Sequence, residues 1–436
     1  MMTSVSSPAV IHSRFSPATM PARLLERTFV QRTKLAARLE EIFAESARSG
    51  SKHNVLLAGP RGIGKSHLVT LVYHRLKQNP ELQGRLAFAF LREDEWGVNS
   101  YLDLLVRILR ALHQETRETA KAEAVILPLG DLPRSRAEQE AWTHIERLLN
   151  GRTLLVIVEN FASMLANLGE AGQRQWRALM QNHPCWCLLA TTPVLSGDIS
   201  LQEAPFYGFF EVHHLEALSA EESLDLFHRL ATVYDGEASA DTPESRARVG
   251  AIHHLAGGNH RVLVMFYDHL RHEAPGEILA PLLKTLDALT PYYQAQIEKL
   301  SPQQRKIVGF LCERRSAVNV KTIAAGCFLG HSTAAGQLKH LLEARYVRVT
   351  RIGRESFYEM AEPLFRISVE VAAYGAERLR LLVGFLRYWF SGAERKEMFG
   401  GPIGEVVSRY HQTRDERVLL ELPLELRMLI QPQGSG

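Results

Sequence analysis

Cysteine is scarce in this chain, and long hydrophobic runs are missing. Four of the 436 residues are cysteine, without the spacing of a disulfide framework. Two of them, Cys185 and Cys187, open an apolar run, which favours packing over zinc binding. No apolar run approaches the ~20 residues of a membrane-spanning helix, and residues 1–20 lack the apolar core of a signal peptide. These absences predict a cytoplasmic protein in a reducing compartment.

The chain also lacks a large excess of charge of one sign. It has 51 Lys and Arg against 48 Asp and Glu, and the net charge of +3 does not by itself indicate nucleic-acid binding. Hydrophobic residues make up 46% and charged residues 23%, which is typical of soluble globular proteins. With 436 residues the chain is too long for one ordinary domain, so we expect two or three.

The most specific motif is the segment Gly59–Ser66, which matches the pattern G-x-x-x-x-G-K-[ST] at every fixed position. The apolar run Val55–Ala58 precedes it, and a helical pattern, Ser66–Leu76, follows it. A strand before the loop and a helix after it are the setting of a phosphate-binding loop. The alternative is a purely structural glycine turn, which does not account for the lysine and serine.

The chemistry of this loop indicates ATP with Mg²⁺. Glycines let backbone N–H groups turn towards phosphate oxygens, and the helix adds the positive end of its dipole. Lys65 is expected to reach the β- and γ-phosphates, and the Ser66 hydroxyl to bind Mg²⁺. The candidate nucleotide-binding residues are Gly59, Pro60, Arg61, Gly62, Ile63, Gly64, Lys65, Ser66 and His67.

Strand-like and helical patterns alternate through the first half of the chain, which predicts an α/β fold with a parallel sheet. The expected strands are Val55–Ala58, Leu86–Leu91, Thr153–Val158, Trp186–Thr191 and Phe209–His213. Because the run Leu86–Leu91 lies between the phosphate loop and the run Leu154–Val158, we expect an extra strand between those two in the sheet. From Ser219 onward the pattern is helical, as in a helical lid.

The run Leu154–Val158 ends in Glu159-Asn160, where a P-loop ATPase usually has Asp-Glu. Glu159 is the candidate Mg²⁺ ligand. Asn160 occupies the position that orients the attacking water, and an amide cannot accept a proton from that water. The pattern therefore predicts ATP binding with slow hydrolysis. The alternative is a strand followed by an N-cap asparagine.

The fourth strand ends in Thr191-Thr192, and a hydroxyl at that position is a candidate sensor of the γ-phosphate. A strand-end turn is the alternative.

The order of these elements resembles AAA+ ATPases of the origin-recognition initiator type and the related signal-transduction (STAND) ATPases, over residues 25–365. Phe29-Val30-Gln31-Arg32 looks like the F-V-G-R-E segment of these families, although Gln31 and Thr33 depart from it. The resemblance implies that Arg32 lies near the nucleotide base. It also implies a P-loop parallel sheet of the additional-strand type.

Gly257-Gly258-Asn259-His260-Arg261 looks like the sensor-2 segment of the lid in the same families. The resemblance implies that Arg261 is aimed at the γ-phosphate. STAND relatives have Gly-x-Pro at this place. Because this chain has Arg261 and no proline, the initiator-like subgroup fits better. In such proteins ATP lies between subunits, which implies a nucleotide-dependent homo-oligomer.

In these families a neighbouring subunit donates an arginine finger to the ATP. The resemblance implies that Arg174 or Arg177, on the helix that follows the Glu159 strand, is a candidate for this finger. A solvated helix face is the alternative for both residues, and the sequence favours it.

Residues 301–370 predict a winged helix, with three helices followed by a hairpin around Ile352-Gly353-Arg354. Eleven Lys and Arg against six Asp and Glu give this segment a net charge of +5, which suits duplex DNA. A protein partner or subunit interface is the alternative. The candidate DNA-binding residues are Gln337, Lys339, His340, Arg348, Arg351 and Arg354.

These patterns predict five segments and one leading function. The segments are a disordered N-terminus (1–24), an α/β ATPase domain (25–215), a helical lid (216–298), a winged helix (299–370) and a helical tail (371–436). The leading function is a nucleotide-dependent switch that couples slow ATP hydrolysis to oligomerisation and to DNA or partner binding. One alternative is a DNA-binding regulator with a structural nucleotide. Another is a sensor or adaptor ATPase of a bacterial defence or mobile-element system, working with a separate effector.

Overall fold

A computed structural model gives the conformation of most of the first 369 residues. The chain forms two compact units, Met1–Glu216 and Ala217–Gly436, which we treat separately. The predicted helical tail and most of the predicted disordered N-terminus lie outside the described residues. The described residues are 17–49, 51–92, 97–116, 119–193, 199, 202–236, 241–271, 279–313, 317–352, 355–362, 365–366 and 368–369.

The first unit is built on a sheet of five parallel strands, as the alternating pattern predicted. The strands are β1 (Asn54–Ala58), β2 (Leu86–Leu91), β3 (Thr153–Val158), β4 (Trp186–Thr192) and β5 (Glu211–His214). Every residue of β3 and β4 is buried, because helices on both faces of a parallel sheet exclude water from its central strands. The short β5 lies at one edge and is mostly exposed.

The strand order is β2-β3-β4-β1-β5, which confirms an extra strand between the phosphate-loop strand β1 and the Glu159 strand β3. The intervening strand is β4, however. The run Leu86–Leu91, on which the expectation rested, forms the edge strand β2. Sequence order misled here because parallel strands are joined by crossovers, which need not place successive strands side by side.

Seven helices are described in the first unit: α1 (Ala22–Thr28), α2 (Thr33–Arg48), α3 (Lys65–Gln78), α4 (Tyr101–Glu115), α5 (Thr119–Ile126), α6 (Arg134–Leu149) and α7 (Phe161–Asn182). Helix α5 buries Ala122 and Ile126. Helix α7 begins at Phe161, directly after the Glu159-Asn160 turn. It bends at Gly169, whose φ of 62° interrupts the helix.

The second unit begins with four helices, α8 (Ala220–Tyr234), α9 (Pro243–Ala256), α10 (His260–Leu270) and α11 (Leu279–Glu298). Helix α8 starts at a capping box, in which Ser219 and Glu222 exchange side-chain and backbone hydrogen bonds. Helix α9 ends at Gly257, which has a left-handed conformation. Helix α11 contains Pro291 within its 20 residues.

The rest of the described chain forms α12 (Pro302–Glu313), β6 (Val318–Asn319), α13 (Val320–Gly326), α14 (His331–Glu343), β7 (Val347–Ile352) and β8 (Glu355–Met360). The strands make an antiparallel sheet in the order β6-β8-β7. Three helices and a hairpin are thus present where the sequence predicted them. Their assignment as a winged helix stays a prediction.

Across the described part of the chain, no helix is both long enough and apolar enough to span a bilayer.

Candidate functional site

The loop between β1 and α3 has the backbone geometry of a phosphate cradle. Gly62 and Gly64 have φ values of 80° and 95°, which residues other than glycine rarely adopt. Gly64 stands immediately before the first turn of α3, so the N–H groups of that turn and the positive end of the helix dipole face the loop. This geometry fits a bound phosphate chain, and phosphate binding by these residues stays a prediction.

A second constraint holds the start of the loop. A Cβ atom on Gly59 would lie 3.1 Å from the carbonyl oxygen of Leu215 and 3.3 Å from Cγ2 of Ile63. The Gly59 N–H donates to the carbonyl of Thr192 at 3.1 Å, and the Leu215 N–H donates to the carbonyl of Ala58 at 2.8 Å. The loop is therefore fixed by both neighbouring strands, β4 and β5.

Lys65 lies inside the loop. Its Nζ donates to the carbonyl oxygens of Gly59 at 2.5 Å and of Pro60 at 2.9 Å. The ammonium group is thus already held over the centre of the loop, where an incoming β- or γ-phosphate oxygen can replace one carbonyl as its acceptor. Ser66 follows it in the first turn of α3, as Mg²⁺ binding through its hydroxyl requires.

Arg32 supports the loop from behind. Its side chain is buried, with only 7% of the residue exposed. One guanidinium nitrogen donates to the carbonyl of Ile63 at 2.8 Å, and the other donates to the carbonyl of Glu216 at 2.6 Å. Arg32 therefore joins the segment before α2 to the phosphate loop and to the residues after β5. A role against the nucleotide base stays a prediction.

His67 faces the N-terminal helix α1. Its Nε2 lies 3.0 Å from the carbonyl of Leu25, and its ring packs 5.6 Å from the ring of Phe29. Burial is the largest cause that lowers the pKa of His67, and the charge of Arg32 lowers it further. The imidazole is therefore neutral near pH 7, with its proton on Nε2, because a carbonyl can only accept. His67 thus joins the first turns of α3 to α1 and to the segment that follows α1.

The acidic end of β3 lies next to the end of β4. Glu159 is buried, with 8% exposure, and follows the last residue of β3 directly. Asn160 has a φ of 56°, and its backbone N–H donates to the Thr191 hydroxyl at 3.2 Å. Among the described residues, the Asn160 side chain makes no capping hydrogen bond to α7. The arrangement brings Glu159, Asn160 and Thr191 together across neighbouring strands.

This group and the phosphate loop lie at the same edge of the sheet. Both β1 and β4 run parallel to β3, and the end of β4 contacts the start of the loop through Thr192 and the end of β3 through Thr191. Carboxylate and hydroxyl oxygens are ligands that Mg²⁺ prefers. When bound, Mg²⁺ neutralises charge on the phosphates and orients the γ-phosphate. Ser66 and Glu159 are the residues that would hold it.

The two candidate arginine fingers differ in environment. Arg174 forms an ion pair with Glu170 one turn away, and its side chain is 69% exposed, as on a solvated helix face. The guanidinium of Arg177 instead lies 4.0 Å from the ring centroid of Phe209. Burial lowers the pKa of Arg177. Cation–π packing thus accounts for the position of Arg177, and a finger role stays a prediction for both residues.

Arg261 lies in the second unit, in the first turn of α10. Its backbone N–H donates to the Asn259 side chain at 3.1 Å, which begins the helix. Its guanidinium lies 5.4 Å from the ring centroid of Tyr292. The turn before it is fixed by Gly258, where a Cβ would lie 2.2 Å from the carbonyl oxygen of Leu218. Its role towards the γ-phosphate stays a prediction.

The predicted DNA-binding residues have unequal surroundings. Gln337 bonds to Gln303 at 3.2 Å, Lys339 lies 3.9 Å from Glu343, and Arg348 forms a 2.7 Å ion pair with Glu359. His340 is exposed on α14. Arg351 belongs to β7 but its side chain is outside the described set, and Arg354 lies outside the described residues. The hairpin cation Arg348 is thus already balanced by an acid.

Sequence reasoning missed the backbone groups that hold the loop. The Leu215 carbonyl lies against Gly59, the Glu216 carbonyl accepts from Arg32, and the Thr191 hydroxyl accepts from the Asn160 N–H. Backbone carbonyls carry no side-chain signal, so no motif could have identified the first two. The Thr191 contact was within reach, because the fourth strand was expected to end there.

With this geometry established, comparisons with known proteins identify the class. Residues 28–187 match the family model described as the AAA ATPase domain. The fold is similar to that of the Walker-type ATPase PABY2304 of Pyrococcus abyssi, with 18% identity, a TM-score of 0.57, and coverage of 78% of this chain and 96% of that one. No curated protein matches the chain.

The fold is also similar to that of the ORC2 protein of Aeropyrum pernix, solved as ADPNP and ADP complexes. Identity is 14%, the TM-score is 0.57, and the alignment covers 80% of this chain and 98% of that one. At such identities the likeness shows the fold alone. The family match shows an AAA ATPase domain over residues 28–187, and the five-stranded parallel sheet of the first unit has the fold of a P-loop ATPase. The chain is therefore of the nucleotide-dependent ATPase class.

Proposed function

We propose that this protein is an ATP-dependent molecular switch that hydrolyses ATP slowly. The observation that carries the proposal is the Glu159-Asn160 turn, joined through Thr191 to the strand that holds the phosphate loop. The loop supplies binding, through the Lys65 ammonium and the N–H groups at the start of α3. Asn160 supplies a hydrogen bond to water but no base.

The slow rate follows from the chemistry of Asn160. General-base catalysis contributes about 10²–10⁴-fold to rates, and an amide supplies none of it. The Thr191 hydroxyl accepts from the Asn160 N–H. Its own proton would then be donated to the γ-phosphate, so loss of that phosphate would change the hydrogen bonding at the end of β3. ATP therefore stays bound long enough for a conformational response.

The response is proposed to involve Arg261, the oligomeric state and the C-terminal helices and hairpin as a winged helix. Arg261 would sense the γ-phosphate from the first turn of α10, where its backbone N–H donates to Asn259 and its guanidinium lies against the Tyr292 ring. The winged helix would contact duplex DNA, for which its net charge of +5 over residues 301–370 is suited. A DNA-binding regulator with a structural nucleotide is the second candidate, which the same charge favours.

The decisive experiment measures ATP binding by the Lys65→Ala variant with calorimetry. Loss of charge-assisted bonds to the phosphates should weaken binding by about 10- to 100-fold or more. Lys34→Ala removes an exposed lysine of α2 and is the matched control, with unchanged affinity expected. Equal affinity in Lys65→Ala and the wild type would reject the nucleotide site.

Two further measurements separate the candidate functions. Size-exclusion chromatography with a non-hydrolysable ATP analogue should show a larger species than ADP does, if nucleotide controls assembly. Binding of duplex DNA, measured with and without ATP across a salt series, should depend on ATP for a switch. DNA binding of equal strength with and without ATP would favour the regulator with a structural nucleotide.

A further inference from the structure

One residue of the second unit has two unfavourable features at once. Phe328, in the turn between α13 and α14, is 88% exposed. It also has a φ of 53°, in the left-handed region. Burying a phenylalanine normally stabilises a protein, and a left-handed φ normally selects glycine. Neither preference is met here.

The hydrogen bonds define the turn. The Leu329 N–H donates to the carbonyl of Ala324 at 2.9 Å, and the Phe328 N–H donates to the carbonyl of Ala325 at 3.2 Å. These two bonds make a Schellman motif that ends α13, with Phe328 at the position usually taken by glycine. The motif holds the aromatic ring outward on a short, hydrogen-bonded turn.

A cation accompanies the ring. The Nζ of Lys306, on α12, lies 5.2 Å from the centroid of Phe328. A second exposed lysine, Lys321, lies in the first turn of α13. Helix α14 begins three residues after Phe328, and its first residues, His331–Thr333, are exposed. We call Lys306, Lys321, Phe328 and His331–Thr333 the Phe328 surface.

The net positive charge of this part of the chain lies in residues 301–342 rather than in residues 343–362. Between Ser301 and Leu342 there are six Lys and Arg and a single acid, Glu313. Residues 343–362 instead carry four arginines and four glutamates. The surroundings of Phe328 therefore suit a polyanion, which an acidic or phosphate-bearing partner satisfies and a neutral apolar pocket does not.

We propose that the Phe328 surface contacts duplex DNA, with the Phe328 ring inserted against a base step and the flanking lysines and helix N-terminus on phosphates. This inference rests on the proposed DNA-binding function and assigns its base-contacting residue. Apolar wedges of this kind partly unstack a base step and bend the duplex. The backbone strain at Phe328 then serves to present the ring.

The test uses the full-length protein and a fluorescein-labelled duplex of mixed sequence, about three helical turns long. Phe328→Gly should bind about 5- to 150-fold more weakly, the range expected for loss of one aromatic–base stack. Its salt dependence should stay as in the wild type, because no charge is removed. Phe328→Trp should keep the affinity of the wild type.

Two controls accompany this variant. Lys306→Ala should reduce the salt slope by about one, since one phosphate contact is lost. Leu127→Ala removes another exposed apolar side chain, 71% exposed and in the first unit, and should leave DNA affinity unchanged. Phe328→Gly should also raise the melting temperature by about 2–4 °C, because glycine relieves the left-handed strain. Misfolding therefore cannot explain a loss of binding.

The outcomes are distinguishable. If the wild type does not bind the duplex, the DNA function fails, and this inference with it. If the wild type binds and Phe328→Gly binds equally well, the inference alone is overturned. A lower salt slope in Phe328→Gly would show that the ring only positions cations, which also overturns it. Unchanged DNA binding with lost ATP-dependent assembly would make Phe328 a protein contact instead.

Discussion

At the scale of single residues, Gln31 and Asn160 both depart from the patterns of the families that the sequence resembles, and both have a left-handed φ. Gln31 replaces the glycine of the F-V-G-R-E segment, and it has a φ of 71°. The Arg32 N–H donates to the carbonyl of Val30 at 2.9 Å, which closes a tight turn around Gln31. That turn directs Arg32 towards Ile63 and Glu216. Gln31 therefore has a strained backbone conformation, which a glycine at this position would adopt without strain.

Gln31→Gly should raise the free energy of unfolding by about 0.5–1.5 kcal/mol. The left-handed φ costs the folded protein more free energy than glycine costs through the added entropy of the unfolded chain. The Gln31 Oε1 is also buried without a hydrogen-bond partner among the described residues, so its loss costs little. Urea unfolding measures the change. Gln31→Ala keeps the strain and should not stabilise. A destabilised glycine variant would contradict the strain argument.

Asn160 departs from the usual glutamate, with a φ of 56° that asparagine tolerates well. Asn160→Glu should raise the rate of phosphate release at least about tenfold, since a base becomes available. Its backbone strain should lower stability by about 1 kcal/mol. Asn160→Gly relaxes the turn without adding a base and should show no gain in rate. Equal rates in the glutamate variant and the wild type would place the base elsewhere.

At the scale of elements, close backbone approach decides where helices can begin and end. Helices α9 and α10 are joined by the pair Gly257-Gly258, both with positive φ. The Leu218 N–H donates to the carbonyl of Gly258 at 3.0 Å, so the turn lies directly against the segment before α8. The helix that carries Arg261 therefore follows a turn in which Gly258 has no room for a side chain.

Gly258→Ala should lower the free energy of unfolding by about 2–4 kcal/mol, from strain of φ and a Cβ placed 2.2 Å from the Leu218 carbonyl oxygen. Gly250→Ala, within α9, meets nothing within 4 Å and should instead stabilise by about 0.5–1 kcal/mol. Thermal unfolding compares the two. Equal effects of both substitutions would show that the turn can move away.

At the scale of the whole molecule, helix α11 is joined to the segment after β8 within the second unit. The buried hydroxyl of Tyr293 donates to the Glu362 carboxyl group, and the Tyr293 ring lies 5.1 Å from that of Phe365. Burial raises the pKa of Glu362 to about 8, against a smaller lowering by the Tyr293 hydroxyl. The carboxyl group is therefore protonated in the folded protein at neutral pH.

This gives the second unit a pH dependence. Between the unfolded pKa of 4.5 and about 8, the folded state holds a proton that the unfolded state has released, so stability falls as pH rises. Glu362→Gln keeps an acceptor for Tyr293 and removes the titration. Between pH 5 and 8.5 the free energy of unfolding of the wild type should fall by about 3–5 kcal/mol relative to that of Glu362→Gln. Parallel melting-temperature profiles of the two proteins would contradict the assignment.

How much could be predicted from the sequence differs between elements. The phosphate loop, the strand before it and Glu159 were predicted from local patterns, because a glycine-rich loop and a buried parallel strand each have a short sequence signature. The bend of α7 at Gly169, helix α5 and the full length of α11 were not. Their residues have weak periodicity, and packing against the rest of the chain decides them.

The sequence by itself determined the class of the site, because Lys65, Ser66 and Glu159 follow a pattern that phosphate and metal chemistry require. Only the tertiary structure decided which groups meet. It placed β4 between β1 and β3, joined Thr191 to Asn160, and turned Arg32 behind the loop. The physical reason is that strand order and backbone hydrogen bonds depend on crossovers between distant segments, which leave no mark on any single stretch of sequence.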